Sequence, residues 1–351
     1  MDQAQTETAA TQKRLRYSFW TGALILRGSV TPRVIVDVFV FGTIAAVITV
    51  GSIFVRNQFG VKLSVPVGAF GAVLGLLLVL RTNAGYDRWW EARKLWGGIV
   101  NQSRNLAVAG LTYGPDDATW RKWFVRWAAA FPHVMRRSLR EERMMPEVAR
   151  LIGSVDVGRI TKNEHMPSLV AHELAGMLRE ARDRGLDPLA FLQAEQQRSQ
   201  LIDHLGGCER IRQTPLARSS AIQVRRFILL FLTTLPFALI DAFDYDLIEQ
   251  TVWSMKLKAS ICLVPFFVML MAYPLLSLDR IGMELQNPFD TRRVDHLPLD
   301  EICNTIEQNL LEMLKHDPVS SDEAATMESI DLSEDAAEFL SNTSSRNTYI
   351  S

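Results

Sequence analysis

The side chains best suited to metal binding or nucleophilic catalysis are scattered along this sequence. None of the six histidines has another histidine three or four positions away, the spacing that places two ligands on one helix face. The three cysteines lack the Cys-x-x-Cys spacing of a zinc or redox site. Asp203-His204 near Cys208 comes nearest to a metal cluster, but an ordinary surface turn explains it better. We therefore expect no enzyme, no metal site and no cofactor.

A different kind of chemistry is indicated by an apolar segment whose small and branched side chains recur at helical spacing. Gly71 and Gly75 form a Gly-x-x-x-Gly pair, which lets two helices approach closely in lipid. At about 100° per residue, Ala69, Val73 and Leu77 lie on the opposite face. That face could meet lipid. In a symmetric oligomer it could instead surround an axial pore, where apolar rings form a constriction that gates by dewetting.

Four apolar segments are the elements that would position these side chains. The chain has 351 residues, 48% of them hydrophobic and 22% charged, and its mean hydropathy of +0.06 is high for so charged a protein. A bilayer core requires about 20 apolar residues per helix. We predict transmembrane helices at about residues 34–55, 63–80, 222–243 and 259–278. The third has the shortest apolar run, so a buried soluble helix is its alternative.

Basic residues flank these segments unevenly and predict an orientation. The loop after the first segment has only Arg56 and Lys62. The flanks before the first segment and after the second are rich in base, with Lys13, Arg14, Arg16, Arg27 and Arg33, then Arg81, Arg88, Arg93, Lys94 and Arg104. Because basic flanks stay inside, we predict a multi-pass protein of the inner (plasma) membrane with both termini cytoplasmic.

The polar stretches at about residues 81–221 and 279–316 are predicted to extend the membrane helices into the cytoplasm. Aromatic residues between Trp120 and Phe131 recur every three or four positions, as on the buried side of an amphipathic helix. Packing explains this basic aromatic stretch better than nucleic-acid binding. No stretch alternates with the period of a strand, so the predicted fold class is all-α.

The last part of the chain differs in charge from the rest. Residues 317–351 contain eight acids and one base, which gives this tail a charge of −7, while residues 1–316 carry about +6. We expect the tail to be mostly disordered, or to lie against the basic body. The predicted organisation is therefore one body at residues 1–316 followed by an acidic tail.

A long motif follows the second apolar segment, and shorter ones follow the fourth. The motif residues are Arg81, Asn83, Tyr86, Arg88, Glu91, Arg93 and Trp96, then Asn287, Pro288 and Phe289. Glu91 is spaced to reach Arg88 on a helix. In these residues and their order, the chain resembles the prokaryotic branch of the bestrophin family over most of residues 15–316.

The resemblance implies a homopentameric channel with one axial pore, through which small monovalent ions pass passively. It assigns the neck of the pore to the face of Ala69, Val73 and Leu77, with Phe70 and Leu74 as the alternative register. A second, cytoplasmic aperture maps onto Leu216, and Arg218 could add a ring of positive charge nearby. The implied partners are other copies of the chain, the lipid bilayer and permeating ions, without nucleic acid.

Two departures from the family bear on calcium and on selectivity. Animal members carry an acidic run after Asn-Pro-Phe that binds calcium, whereas Asp290 is followed here by Arg292 and Arg293, so we expect no calcium clasp. The neck side chains are also smaller than in animal members. The acids between Asp241 and Glu249 favour cations, whereas the charge of the body favours anions. We favour anions (chloride) over cations (sodium). A non-conducting scaffold or sensor that binds a partner through its acidic tail is the alternative.

Overall fold

The computed structural model describes residues 25, 28–59, 67–214, 218–246 and 253–319 of the chain. Within these ranges we find ten helices and no strand, which confirms the predicted all-α class for this part of the chain. The helices are α1 (Thr31–Phe59), α2 (Val67–Tyr113), α3 (Ala118–Leu139), α4 (Pro146–Ile152), α5 (Ser154–Lys162), α6 (Met166–Asp183), α7 (Pro188–Gln213), α8 (Arg218–Asp246), α9 (Trp253–Glu284) and α10 (Leu299–Lys315).

The chain divides into two compact units. Unit 1 comprises Met1–Trp89 and Pro215–His296, and unit 2 comprises Trp90–Thr214 and Leu297–Ser351. Unit 1 therefore holds α1, α8, α9 and the first half of α2, while unit 2 holds the second half of α2 and the remaining helices. The boundary lies inside α2, which continues from one unit into the other without interruption.

The described residues of unit 1 include four helical stretches that are long and apolar enough to cross a bilayer, judged by length and composition alone. They are Thr31–Ser52, an 18-residue window within Val67–Tyr113, Ser219–Ile240 and Cys262–Glu284. The third stretch meets the criterion despite its short apolar run. α1 packs mainly against α9. Leu74 and Leu78 of α2 join a buried apolar cluster with residues of α8 and α9, so the core of unit 1 lies among all four helices.

Unit 2 is built around α3. The side chain of Asp117 caps its first turn by accepting a hydrogen bond from the amide of Trp120 at 3.0 Å. The aromatic side of the helix is buried, including Phe124 and Phe131, as the periodicity predicts. α4, α6 and α10 pack against α3. Gly153, at φ +90°, links α4 to α5 in a backbone conformation that favours glycine.

Arginines at the end of α3 bind two carboxylates of neighbouring helices in unit 2. Arg137 donates to Glu147 through Nε at 2.7 Å and Nη2 at 3.0 Å, a bidentate pair. Asp300 lies 2.8 Å from Nη1 of Arg136 and 2.9 Å from Nη2 of Arg140. These pairs connect α3 to α4 and α10.

The stability of unit 2 is expected to decrease in acid. Burial alone would raise the pKa of Glu147, but the hydrogen bonds and positive charge of Arg137 outweigh it and hold the pKa below the ordinary value of 4.5. The unfolded chain then binds more protons, so this stabilisation is present above pH 4.5 and is lost as the pH falls. Thermal unfolding from pH 7 to pH 3 should show a shallower decrease for Glu147→Gln than for the wild type. Equal slopes would contradict this assignment.

Candidate functional site

The predicted neck residues lie on the least covered of the four membrane-length helices. In the apolar window of α2, 17% of residues are buried, against 28% in each of the other three stretches. Ala69 is exposed and Val73 is 56% exposed. Leu77 is partly buried against the apolar cluster of unit 1. The exposed face therefore passes through Ala69 and Val73 and continues through Leu76 and Leu80, at 60% and 57% exposure, rather than through Leu77.

The opposite face of α2 is occupied by packing within the same chain. Phe70 contacts the rings of Phe227 and Phe231, with centroids 6.1 and 6.2 Å away, and Leu74 is 1% exposed. The alternative neck register, Phe70 with Leu74, thus turns toward the core of its own subunit. A methyl group at Gly71 would lie 3.1 Å from Phe231, whereas one at Gly75 would meet open space. Only Gly71 makes the close approach that the glycine pair predicts.

Arg81 anchors the polar end of this apolar stretch. Its guanidinium is buried and forms an ion pair through Nη1 with Asp279 of α9. The second oxygen of Asp279 accepts from Nε of Arg225 of α8 at 3.2 Å. One turn after Arg81, α2 and α9 approach so closely that a Cβ at Gly85 would lie 3.2 Å from the carbonyl oxygen of Gly282. One carboxylate therefore connects α2, α8 and α9.

A second buried carboxylate fixes the start of α1. The fully buried Glu284 accepts from Nη1 of Arg33 at 2.5 Å and from Nε of Arg280 at 2.9 Å. Its other oxygen accepts from the backbone amide of Val294 at 3.2 Å. Arg33 also donates to the carbonyl oxygen of Arg292 at 2.8 Å. Glu284 thereby joins α1 and α9 to the loop that follows α9.

The loop after α9 contains the second family motif. Asn287 accepts from the amide of Phe289, which is fully buried, and Pro288 is buried beside it. The Asp290 carboxylate accepts from Arg292 through both oxygens, at 3.0 and 3.2 Å, and Oδ2 lies 3.7 Å from Arg293. The two arginines thus bind the carboxylate that would otherwise be available to a cation.

Arg88 of the long motif contacts the segment after α9. Arg88 donates to the carbonyl oxygen of Gln286 through Nε and Nη2, both at 3.3 Å. The ring of Tyr86 stacks on that of Trp89, with centroids 6.2 Å apart. Asn83 is exposed. Arg88 thus holds α2 to the segment after α9.

Within unit 2, the motif residues join α2 to α7. The carboxylate of Glu91 lies 2.5 Å from Arg210 of α7. The pair of Glu91 with Arg88 within one helix stays a prediction. A side chain at Gly98 would overlap the ring of His204, and Trp96 is fully buried. Arg93 is exposed.

Several predicted residues have no described side-chain position. Leu216 lies outside the described residues, as do residues 320–351 of the predicted tail. Arg218 begins α8, but its side chain is not described, and neither are those of Asp241, Asp244 and Asp246 at the other end of that helix. Asp317, the first residue of the predicted tail, is buried and accepts from Arg121 of α3 at 2.8 Å. This first residue of the predicted tail is therefore bound to α3.

Burial governs the thiols and one histidine in the described part of unit 2. Among the described residues, no group of three or more His, Cys, Asp or Glu side chains is placed to hold a metal ion. Burial lowers the pKa of His204 and raises that of the Cys208 thiol. The thiol of Cys303 is buried and donates to the carbonyl oxygen of Pro132 at 3.4 Å. Burial keeps both thiols protonated and unreactive.

Comparison with known proteins decides the family. Residues 10–312 match the family described as Bacterial/Fungal Bestrophin protein. The chain belongs to the bestrophin family. Among its curated relatives is a voltage-dependent anion channel-forming protein of Mesorhizobium japonicum, 33% identical over 87% of this chain and 93% of the relative. One from Escherichia coli K12 is 32% identical over 73% of this chain and 79% of the relative.

Solved bestrophin structures have the same fold. A bacterial bestrophin homologue of Klebsiella pneumoniae, solved as a single-residue variant, superposes with a TM-score of 0.69 at 27% identity. The match covers 80% of this chain and 98% of that one. A structure of another variant of that homologue gives 0.68 at 26% identity, over 79% and 99% of the two chains. The family assignment based on the sequence motifs is thereby confirmed.

The two carboxylates that organise unit 1 were missed by the sequence analysis. Asp279 and Glu284 come shortly after the fourth apolar segment. The orientation argument counts only the basic residues of such a flank, so these two acids were not considered. Two acids within an otherwise basic flank are themselves a signal, since a charge beside a membrane span is expected to have a partner. Arg81, at the end of the second span, was already in the motif.

Proposed function

We propose that the protein is a homopentameric channel that conducts small anions passively through the membrane. The observation that carries the proposal is the exposed apolar face of α2, the least buried of four membrane-length helices in a member of the bestrophin family. Relatives that share about one third of the sequence are named anion channel-forming proteins. Their names support anions over cations.

Five copies of α2 around an axis would turn this face into a stack of apolar rings. Ala69 and Val73 are the neck residues that exposure supports, and Leu77 contributes less because part of its side chain is already buried. Small apolar side chains have no polar atoms that could replace the water molecules around an ion. Conduction therefore depends on the width of the neck and on whether water fills it. Leu216 and Arg218 remain the proposed residues of the cytoplasmic aperture.

The test of this function is the reversal potential of the purified protein in a planar bilayer. Under a tenfold KCl gradient, an ideally anion-selective pore reverses about 59 mV from zero, toward the chloride equilibrium potential. We expect a shift in this direction. A shift toward the potassium potential would contradict anion selectivity. Absence of current from folded, correctly assembled protein would instead favour the non-conducting scaffold that binds a partner through the acidic tail.

A further inference from the structure

A cleft with three arginines opens among α1, α8 and α9 of unit 1. Its volume is about 370 Å³. Arg33, Arg225 and Arg280 contribute to its lining, one from each helix, and their side chains are 33%, 50% and 34% exposed. Three guanidinium groups from separate helices therefore face one space.

The cleft lies at the edge of the membrane-spanning stretches. Arg33 and Arg225 stand near the beginning of the stretches Thr31–Ser52 and Ser219–Ile240, and Arg280 stands near the end of Cys262–Glu284. Since α9 runs in the opposite sense to the other two, these ends belong to the same side of the membrane. By the distribution of basic residues, this side is cytoplasmic.

The three arginines are held in place, and Arg280 and Arg225 retain donors for another anion. Glu284 accepts from Nη1 of Arg33 and Nε of Arg280, and Asp279 accepts from Nε of Arg225. Among the described residues, the terminal nitrogens of Arg280 form no hydrogen bond or ion pair. A guanidinium fixed by one carboxylate is preorganised for a second oxyanion, and phosphate suits the paired donors of arginine.

The remaining lining has two further properties. Phe41, Ile228 and Leu276 give the cleft an apolar wall. Asp37 also lines it, is exposed, and forms no hydrogen bond or ion pair within the described part of the chain. An acid in a membrane helix is expected to have a partner. A ligand for this cleft thus has an apolar portion, an anionic group and a cationic group.

We propose that this cleft binds an aminophospholipid of the cytoplasmic leaflet. The phosphate binds Arg280 and Arg225, the primary amine binds Asp37, and one acyl chain lies along the apolar wall. Basic pockets between transmembrane helices on this side are the usual sites for lipid headgroups. The proposal depends on the membrane position of the three helices and not on ion conduction, so it can fail or succeed independently of channel function.

The experiment uses the delipidated full-length protein in detergent, with lipid binding followed by native mass spectrometry. Phosphatidylethanolamine and phosphatidylglycerol with matched chains, and free phosphoethanolamine, are added in turn. Arg280→Gln should weaken phosphatidylethanolamine binding by at least about fivefold, since a charge-assisted hydrogen bond is lost. Glu284 keeps Arg33 and the amide of Val294 as partners in this variant. Arg292→Gln, at a side chain 89% exposed and outside the cleft, is the matched control and should bind normally.

Asp37→Asn supplies the second arm and disturbs no described contact. The wild type should prefer phosphatidylethanolamine to phosphatidylglycerol, and this variant should lose the preference. Three results would overturn the proposal: equal binding by Arg280→Gln and Arg292→Gln, an unchanged lipid preference in Asp37→Asn, or binding of free phosphoethanolamine as tight as that of the lipid. The last would show that the apolar wall contributes nothing.

Discussion

Replacing Asp279 with alanine is expected to destabilise unit 1 by about 3–5 kcal/mol, the usual cost of removing one partner from a buried ion pair. The substitution leaves the guanidinium of Arg81 buried without a counter-charge and also removes a partner of Arg225. Nη2 of Arg81 is already buried with no hydrogen-bond partner among the described residues. No neighbouring group in the described part of the chain is therefore available to take over the role of the lost carboxylate. We expect a large fall in the thermal unfolding temperature of the detergent-solubilised protein.

Two control variants test whether the lost stability comes from breaking the Arg81–Asp279 ion pair or simply from removing a carboxylate. Asp183→Ala removes an exposed acid that pairs with Arg182, and its effect should stay within about 0.5 kcal/mol. The double variant Arg81→Met/Asp279→Leu removes both charges and should recover most of the stability, because apolar replacements of buried ion pairs are often neutral. An Asp279→Ala protein as stable as Asp183→Ala would show that the pair does not hold α2 to α9.

Introducing a charge at Val73 should change the selectivity of the proposed channel more than any other single substitution in the neck. In a pentamer, Val73→Glu places five carboxylates around the pore. Two unit charges 4 Å apart interact by about 1 kcal/mol even in bulk water and more near protein. We therefore expect the ratio of chloride to potassium permeability to fall by at least about tenfold, equivalent to about 1.4 kcal/mol. Reversal potentials in planar bilayers measure this ratio.

Charge reversal at the same position is the matched control for the neck. Val73→Lys occupies the same site with the opposite sign, so its reversal potential should move in the opposite direction. The same pair of substitutions at Leu77 should have smaller effects, because this side chain turns partly into the apolar cluster. If both charges at Val73 leave the permeability ratio unchanged, the exposed face of α2 does not line the pore.

The sequence predicts the helices well because their signals are local. Four apolar runs, the three-and-four spacing of the aromatics from Trp120 to Phe131, and the absence of proline from residues 67–113 all act within a few turns. The family motif likewise identifies Arg81 and Trp96, which the structure places in the interior.

Long-range partners could not be predicted in the same way. Asp279 lies 198 positions from Arg81, and nothing in the local pattern of either residue identifies the other. Glu91 binds Arg210 on another helix, a partner that the local spacing of its own helix does not indicate. The helical spacing of Leu77 with Ala69 and Val73 could not show that α2 turns this side chain toward its own core.

A bilayer core of about 30 Å accommodates about 20 residues of a helix, whereas α2 has 47 residues and a length of about 70 Å at 1.5 Å per residue. More than half of it therefore lies outside the hydrocarbon. The apolar side chains up to Leu80 suit lipid or an apolar partner, whereas exposed polar side chains such as Asn83 and Arg93 require water. One unbroken helix is therefore built for two different solvents.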